Sequence, residues 1–307
     1  MHLIPDATEA PASTPAEGRS EPTVERVAFA TDGGPAGSGA LAWIARRATR
    51  GGLHIGVDLV LEQDWVSGGL HLGDAEKAAD AVVEAAVTYL RQEAPAAEIH
   101  GNVTWADPRE RFEQLSAAAD LLVVGTNRTG QLAGPLGGGF AMKLAEAARC
   151  PAIVVPRSWR PGEGPVVVGV QGDASDEGPL GFAAREARAS GRTLRVVHTW
   201  RLPTLLASEA LLVPPVSEIA RSHDQLLRSI VDPLRAANAD LRIESLSLEG
   251  PAAALLAEQG AGAELLVVGS HRLGFLDRYF VGSTSRTVLS RPPCPVAIVG
   301  MPVESHE

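Results

Sequence analysis

The sequence predicts an α/β protein built as two tandem copies of one domain, each a parallel sheet with helices on both faces. Three observations carry this. Ala119-Asp120-Leu121-Leu122-Val123-Val124-Gly125-Thr126 recurs as Ala263-Glu264-Leu265-Leu266-Val267-Val268-Gly269-Ser270. At the same separation, Cys150-Pro151-Ala152-Ile153-Val154-Val155 recurs as Cys294-Pro295-Val296-Ala297-Ile298-Val299. Within each copy, short continuous apolar runs alternate with segments of helical period, the pattern of strands buried on both faces and joined by crossover helices.

In the first copy, residues 27–31 form an apolar run suited to a buried strand. Ser38 is placed to cap a helix whose Leu41, Ile44, Ala45 and Ala48 follow i, i+3, i+4, i+7 spacing. Gly51-Gly52 ends it, and a strand over 53–61 follows. Ala79, Val82, Val83, Ala86 and Leu90 line a second helix, then come a strand near 98–104 and a helix opened by Pro108 in the favoured first turn. A strand over 121–125, a Gly-rich loop, a helix over 139–149 and a strand over 152–155 complete the copy. The second copy repeats this order, with strands at 166–170, 194–200, 241–248, 265–269 and 296–299 and helices near 177–190, 216–238, 251–260 and 283–291. Near the copy starts, Leu41, Ile44, Ala45 and Ala48 answer Leu180, Ala183, Ala184 and Ala187. The expected boundaries are a disordered tail over 1–21, domains over 22–156 and 165–301, a linker over 157–164 and a short tail over 302–307.

Composition narrows the function. A formal charge of −10 argues against a nucleic-acid or anionic-membrane surface, which needs excess Lys and Arg. No apolar run reaches the ~18 residues of a membrane span. The Pro-, Ala- and Glu-rich N-terminus lacks a signal-peptide layout, so a cytoplasmic location is expected. Two cysteines make no disulfide framework; Cys150 and Cys294 read as small residues at strand entrances rather than a redox pair. His54, His71, His100, His198, His223 and His271 are dispersed without metal-ligand spacing, and only His271 borders a candidate site. No P-loop and no G-x-S-x-G elbow occurs.

Ligands of open parallel sheets bind beyond the carboxyl ends of the strands, where strand order reverses. That points to Thr31-Asp32-Gly33-Gly34 and to the loops after each copy's fourth strand. Gly269-Ser270-His271-Arg272 leads to Gly282-Ser283-Thr284-Ser285, which opens a helix where free amides and hydroxyls can hold an anion. Gly282 permits close backbone approach, and Ser283 and Ser285 are placed to donate.

The run Gly269-x2-Arg272-x9-Gly282-Ser283, followed by Pro293-Cys294-Pro295-Val296, resembles the universal stress protein family, whose pattern is Gly-x2-Gly-x9-Gly-Ser. The likeness spans 24–156 and 165–300. It implies two tandem Rossmann-like (adenine nucleotide alpha hydrolase-like) domains, each with a five-stranded parallel sheet, pairing of the domains through their last strands, and ATP or AMP binding in some members. Both copies depart from the binding pattern. The family's nucleoside-contacting Asp is Asp32 in the first copy and Gln171 in the second. The first copy's phosphate loop reads Gly125-x2-Arg128-x9-Gly138-Gly139 and lacks the hydroxyls. Arg128 and Arg272 stand where the family has Gly, and either add a charge-assisted contact or block the ligand.

The second copy is the better phosphate site. Its expected set is Gln171, Gly269, Arg272, Gly282, Ser283, Thr284 and Ser285, with Asp32, Gly125, Arg128, Gly138 and Gly139 as the weaker set of the first copy. The reading is a non-catalytic sensor of ATP or AMP, with or without Mg²⁺, in stress physiology, its two domains packed as an intramolecular pseudo-dimer. Homodimers through other faces stay open. The alternatives are an interaction scaffold with both pockets degenerate and a slow ATPase; the latter lacks an evident base or metal carboxylate pair.

Overall fold

The structure, a computed structural model, describes residues 24–61, 72–126, 148–202, 214–272, 279–280 and 282–300. The expected helix over 139–149 and both tails lie wholly or mostly outside these residues. The first copy runs β1 (Glu25–Thr31), α1 (Gly37–Ala48), β2 (Leu53–Leu61), α2 (Leu72–Glu93), β3 (Glu98–Trp105), α3 (Pro108–Ala118), β4 (Leu121–Thr126) and β5 (Ala152–Pro156). The second runs β6 (Val166–Val170), α4 (Glu177–Ser190), β7 (Leu194–Trp200), α5 (Val216–Ala237), β8 (Ile243–Glu249), α6 (Ala252–Gln259) and β9 (Leu265–Gly269). It ends with β10 (His271–Arg272), β11 (Tyr279–Phe280), α7 (Ser283–Ser290) and β12 (Val296–Val299).

One sheet of ten strands holds both copies, in the order β3-β2-β1-β4-β5-β12-β9-β6-β7-β8. Within each copy every sheet neighbour is parallel. The copies join where β12 runs antiparallel to β5, pairing Val296 with Val154, Ala297 with Ile153 and Ile298 with Ala152. β4 and β9 are apolar on both faces because helices cover both: nearly every residue in each is buried. On one face α1, α2, α4 and α5 pack Trp43, Leu90, Phe182 and Val231 into a common core. On the other, α3, α6 and α7 bring in Phe112, Leu256 and Val288.

Two details differ from expectation. Ser38 does not cap α1: the cap position is Ala36, and the Ser38 hydroxyl instead donates to the Pro35 carbonyl at 3.0 Å. The tight turn after β1, closed by the Gly37 amide on the Gly34 carbonyl, starts the helix two residues earlier. The third strand of the second copy begins at Ile243, since the Leu241 amide closes a turn on the Asn238 carbonyl. The short antiparallel pair β10–β11 carries no period that the sequence displays.

Candidate functional site

In the second copy the chain leaves β6 towards β7 and β8 on one side, then returns to β9 on the other. The switch point is therefore between β6 and β9, and a hollow of about 370 Å³ opens there on the α6–α7 face. That size suits small-molecule sites, which run roughly 300–1,000 Å³. Its wall includes Gln171, Gly269, Gly282, Ser283, Thr284 and Ser285, six of the seven residues expected for this half. The seventh, Arg272, has its backbone in β10, and its side chain lies outside the described residues.

Each part of the wall has a local cause. The turn after β6 is held by the buried Asp176 carboxylate, which accepts from the Gln171 amide at 2.9 Å, the Gly172 amide at 2.6 Å and the Asp173 amide at 3.3 Å. Gly172 sits at φ +102°, and a Cβ there would lie 2.6 Å from Leu226, so both conformation and space demand glycine. At the far wall, α7 begins at Gly282 with no side-chain cap. Its first-turn amides have no intrahelical partner and offer partial positive charge to the hollow. Ser283 is exposed. Ser285 is buried, and its hydroxyl donates to the Gly269 carbonyl at 2.9 Å. Its proton is thus committed to joining α7 to β9, which corrects its expected role as a ligand donor.

The floor was not among the expected residues. Gly169, Val197, Thr199, Ala252, Leu256 and Val268 form it. Val197, Leu256 and Val268 are buried members of the core on this face. A Cβ on Gly169 would fall 2.9 Å from Leu256 Cδ1, so the glycine is what lets Leu256 lie flat on β6. Beyond Thr199, Ala252, Ser283 and Thr284 lies a second hollow of about 560 Å³, bordered by Arg201, Gly250 and Thr287. An apolar floor beside an uncapped helix start suits a ligand with a flat apolar part and an anionic part.

The first copy places other side chains on the matching floor. Ala30 lies beside Asp58 in register, as Gly169 lies beside Val197. Asp58 is buried and accepts from Arg111 of α3 at 2.8 Å and from Asn102 at 3.2 Å. Phe112, fully buried, stands where the second copy has the smaller Leu256. Asp32, expected on the nucleoside side, accepts the Gly34 amide at 2.8 Å and shapes its own turn. Gly125, next to last in β4, lies against the backbone of Ala36, while Arg128, Gly138 and Gly139 lie outside the described residues.

Other reactive groups stand apart from the hollow. His198, buried on the opposite face of β7, shares a 2.9 Å hydrogen bond with His223, and its other ring nitrogen meets the Val170 carbonyl at 3.2 Å. The His223 ring stacks on Trp200. Burial, then the neighbouring His198, hold the His223 pKa below its ordinary value, with Asp224 opposing. Burial pushes both thiols, Cys150 and Cys294, up to about 12, which keeps them protonated and unreactive. Among the described residues there is no group of three or more His, Cys, Asp or Glu placed to hold a metal ion. Nor is any described helix long and apolar enough to cross a membrane.

Two tandem Rossmann-like domains with a switch-point hollow define the class of protein. The profile of the universal stress protein family matches residues 23–156 and again 164–300, and the chain belongs to that family as a tandem member. It is 27% identical over 212 residues to universal stress protein Rv1996 of Mycobacterium tuberculosis H37Rv, covering 67% of each chain. It is 26% identical over 204 residues to universal stress protein Rv2005c of the same strain, covering 65% of this chain and 68% of that one. Among solved structures, a universal stress protein from Archaeoglobus fulgidus DSM 4304 superimposes with a TM-score of 0.61 at 16% identity, over 91% of this chain and all of that one. PA1789 from Pseudomonas aeruginosa PAO1 superimposes with a TM-score of 0.56 at 18% identity, over 90% of this chain and 92% of that one.

Proposed function

We propose that the chain is a non-catalytic universal stress protein that binds one adenine nucleotide, ATP or AMP, in the hollow of its second copy. The adenine lies on the floor of Val197, Leu256 and Val268, and the phosphates meet the first-turn amides of α7 with the hydroxyls of Ser283 and Thr284. The observation that carries this reading is the meeting of that apolar floor with an uncapped helix start at the β6–β9 switch point. Gln171 borders the nucleoside end without adding charge. No carboxylate lines the hollow among the described residues, so Mg²⁺ would arrive on the phosphates. The two copies, over 22–156 and 165–301, act as a pseudo-dimer in which the first has given up its base pocket to the Asp58–Arg111 pair. Partners read the nucleotide state of the second copy.

Calorimetric titration with ATP and AMP, with and without Mg²⁺, tests this. Gly282→Val places branched carbons where the backbone must approach a phosphate, and a loss of tenfold or more in affinity, about 1.4 kcal/mol, is expected. Equal binding by wild type and Gly282→Val would remove the phosphate assignment. The first copy's filled floor favours a second reading for that half alone, a protein-docking module without ligand, and a site count of one agrees with it.

A further inference from the structure

We propose that a buried charge pair, Arg47 against Glu186, selects which copy packs on which: the face above β5 of the first copy accepts a second copy and rejects another first copy. Arg47, on α1, is 8% exposed and Glu186, on α4, is 5% exposed. The guanidinium makes two 2.7 Å hydrogen bonds to Glu186 and two more to Glu25. Arg50 adds an ion pair to Glu264, itself 3% exposed, and lies 3.8 Å from Glu186. Arg46 lies 3.5 Å from Glu264. Burial works to lower the Arg47 pKa, and the hydrogen bonds it donates to Glu186 and Glu25 overcome that and raise it. The Arg47 guanidinium is therefore held in its charged form.

The symmetry of the contact gives this charge its meaning. The matched positions on α1 and α4 place Arg47 and Glu186 at the same point of the repeat. In the sheet, Ile153 pairs with Ala297, again its own counterpart, with Ala152 on Ile298 and Val154 on Val296 to either side. Equivalent residues thus meet at both levels, so one approximate two-fold axis passes between β5 and β12 and between α1 and α4. An interface of this kind is self-complementary in shape. The strands do not choose a partner, since both are short and apolar and pair through backbone. The helices do. A first copy on a first copy buries Arg47 on Arg47 beside Arg46 and Arg50, an excess that Glu25 of each copy offsets only in part, and a second on a second buries Glu186 on Glu186 beside Glu264. In the mixed pair Arg46, Arg47 and Arg50 face Glu25, Glu186 and Glu264, three charges against three, and the chain holds one of each copy.

Charge exchange in the full-length chain tests the proposal. Arg47→Glu alone and Glu186→Arg alone are each expected to lower the folding equilibrium constant by about a hundredfold or more, the scale of breaking a buried pair. The double exchange in one chain should recover part of that loss in urea denaturation, because Glu25 and Arg50 then each face a like charge. The second readout addresses selection and survives poor folding of either single variant. The two single variants are co-expressed and examined by native mass spectrometry, where their masses differ. A two-chain complex holding one of each, absent when either variant is made alone, is expected, because each copy then finds its opposite charge only in the other chain. No recovery by the double exchange, or no mixed complex beyond what co-expressed wild-type chains form, overturns the proposal.

Discussion

Gly169→Ala adds one methyl to the hollow's floor, and the surroundings of that methyl are known. Its Cβ would lie 2.9 Å from Leu256 Cδ1 and 3.1 Å from Cδ2, closer than packed carbons sit, and 3.6 Å from Cγ. Gly169 is not among the glycines with positive φ, so alanine fits the backbone and should itself stabilise by about 0.4–1 kcal/mol through the unfolded chain. Over-packing in a dense core costs about 1–3 kcal/mol and outweighs that gain. The net loss of about 1–2 kcal/mol corresponds to a fall of a few degrees in Tm for a unit of this size. Turning Leu256 into the hollow it lines, where the base would lie, relieves the clash, so adenine-nucleotide affinity should fall about tenfold or more. Adding Leu256→Val removes the clashing methyls' reach and should restore both quantities in part. Differential scanning fluorimetry and calorimetric titration of wild type, both single variants and the pair make the cycle. A Gly169→Ala protein that is more stable than wild type and binds as tightly would refute the packing argument.

Four further outcomes are expected. Ser285→Ala leaves the Gly269 carbonyl without its donor and should cost about 1 kcal/mol in thermal or urea unfolding, with no change contradicting the tie between α7 and β9. Because the His223 pKa is lowered in the folded chain, the unfolded chain binds more protons as pH drops below 6.5. Its contribution to stability is complete above pH 6.5 and is lost as pH falls towards the depressed value; His223→Gln should flatten that part of a Tm-versus-pH curve. Cys294, with its thiol pushed up to about 12, should resist a thiol reagent at pH 8 until the chain is unfolded, and fast labelling of the native chain would count against its burial. Asp58→Val alone strands the Arg111 guanidinium and should destabilise, whereas Asp58→Val with Arg111→Leu, the residues of the second copy, should recover most of the loss.

The strands of each copy were readable because strands buried on both faces are continuous apolar runs and the repeat shows them twice. The helix start at one end of the hollow was readable too, since Gly282 and Ser283 follow a strand at a spacing that opens a helix. The floor was harder. Gly169 and Val197 become neighbours only through the β6–β7 register, and Leu256 reaches them from a different layer. The signal was nonetheless present in the repeat: Ala30, Asp58 and Phe112 stand against Gly169, Val197 and Leu256, three changes at one place in space. The direction of the Ser285 hydroxyl and the grip of Asp176 on three amides depend on atoms no pattern encodes. The same holds for Arg47, which reads in sequence as one more polar residue on α1 and proves to be buried between two carboxylates.

Equilibrium dialysis of the full chain against labelled ATP and labelled AMP, counting nucleotides bound per chain at saturation, puts the assignment to its most direct trial. One per chain, displaced by unlabelled adenine nucleotide and lost on Gly282→Val, is the expected result. Zero, or two per chain with the first copy filled as well, would contradict it.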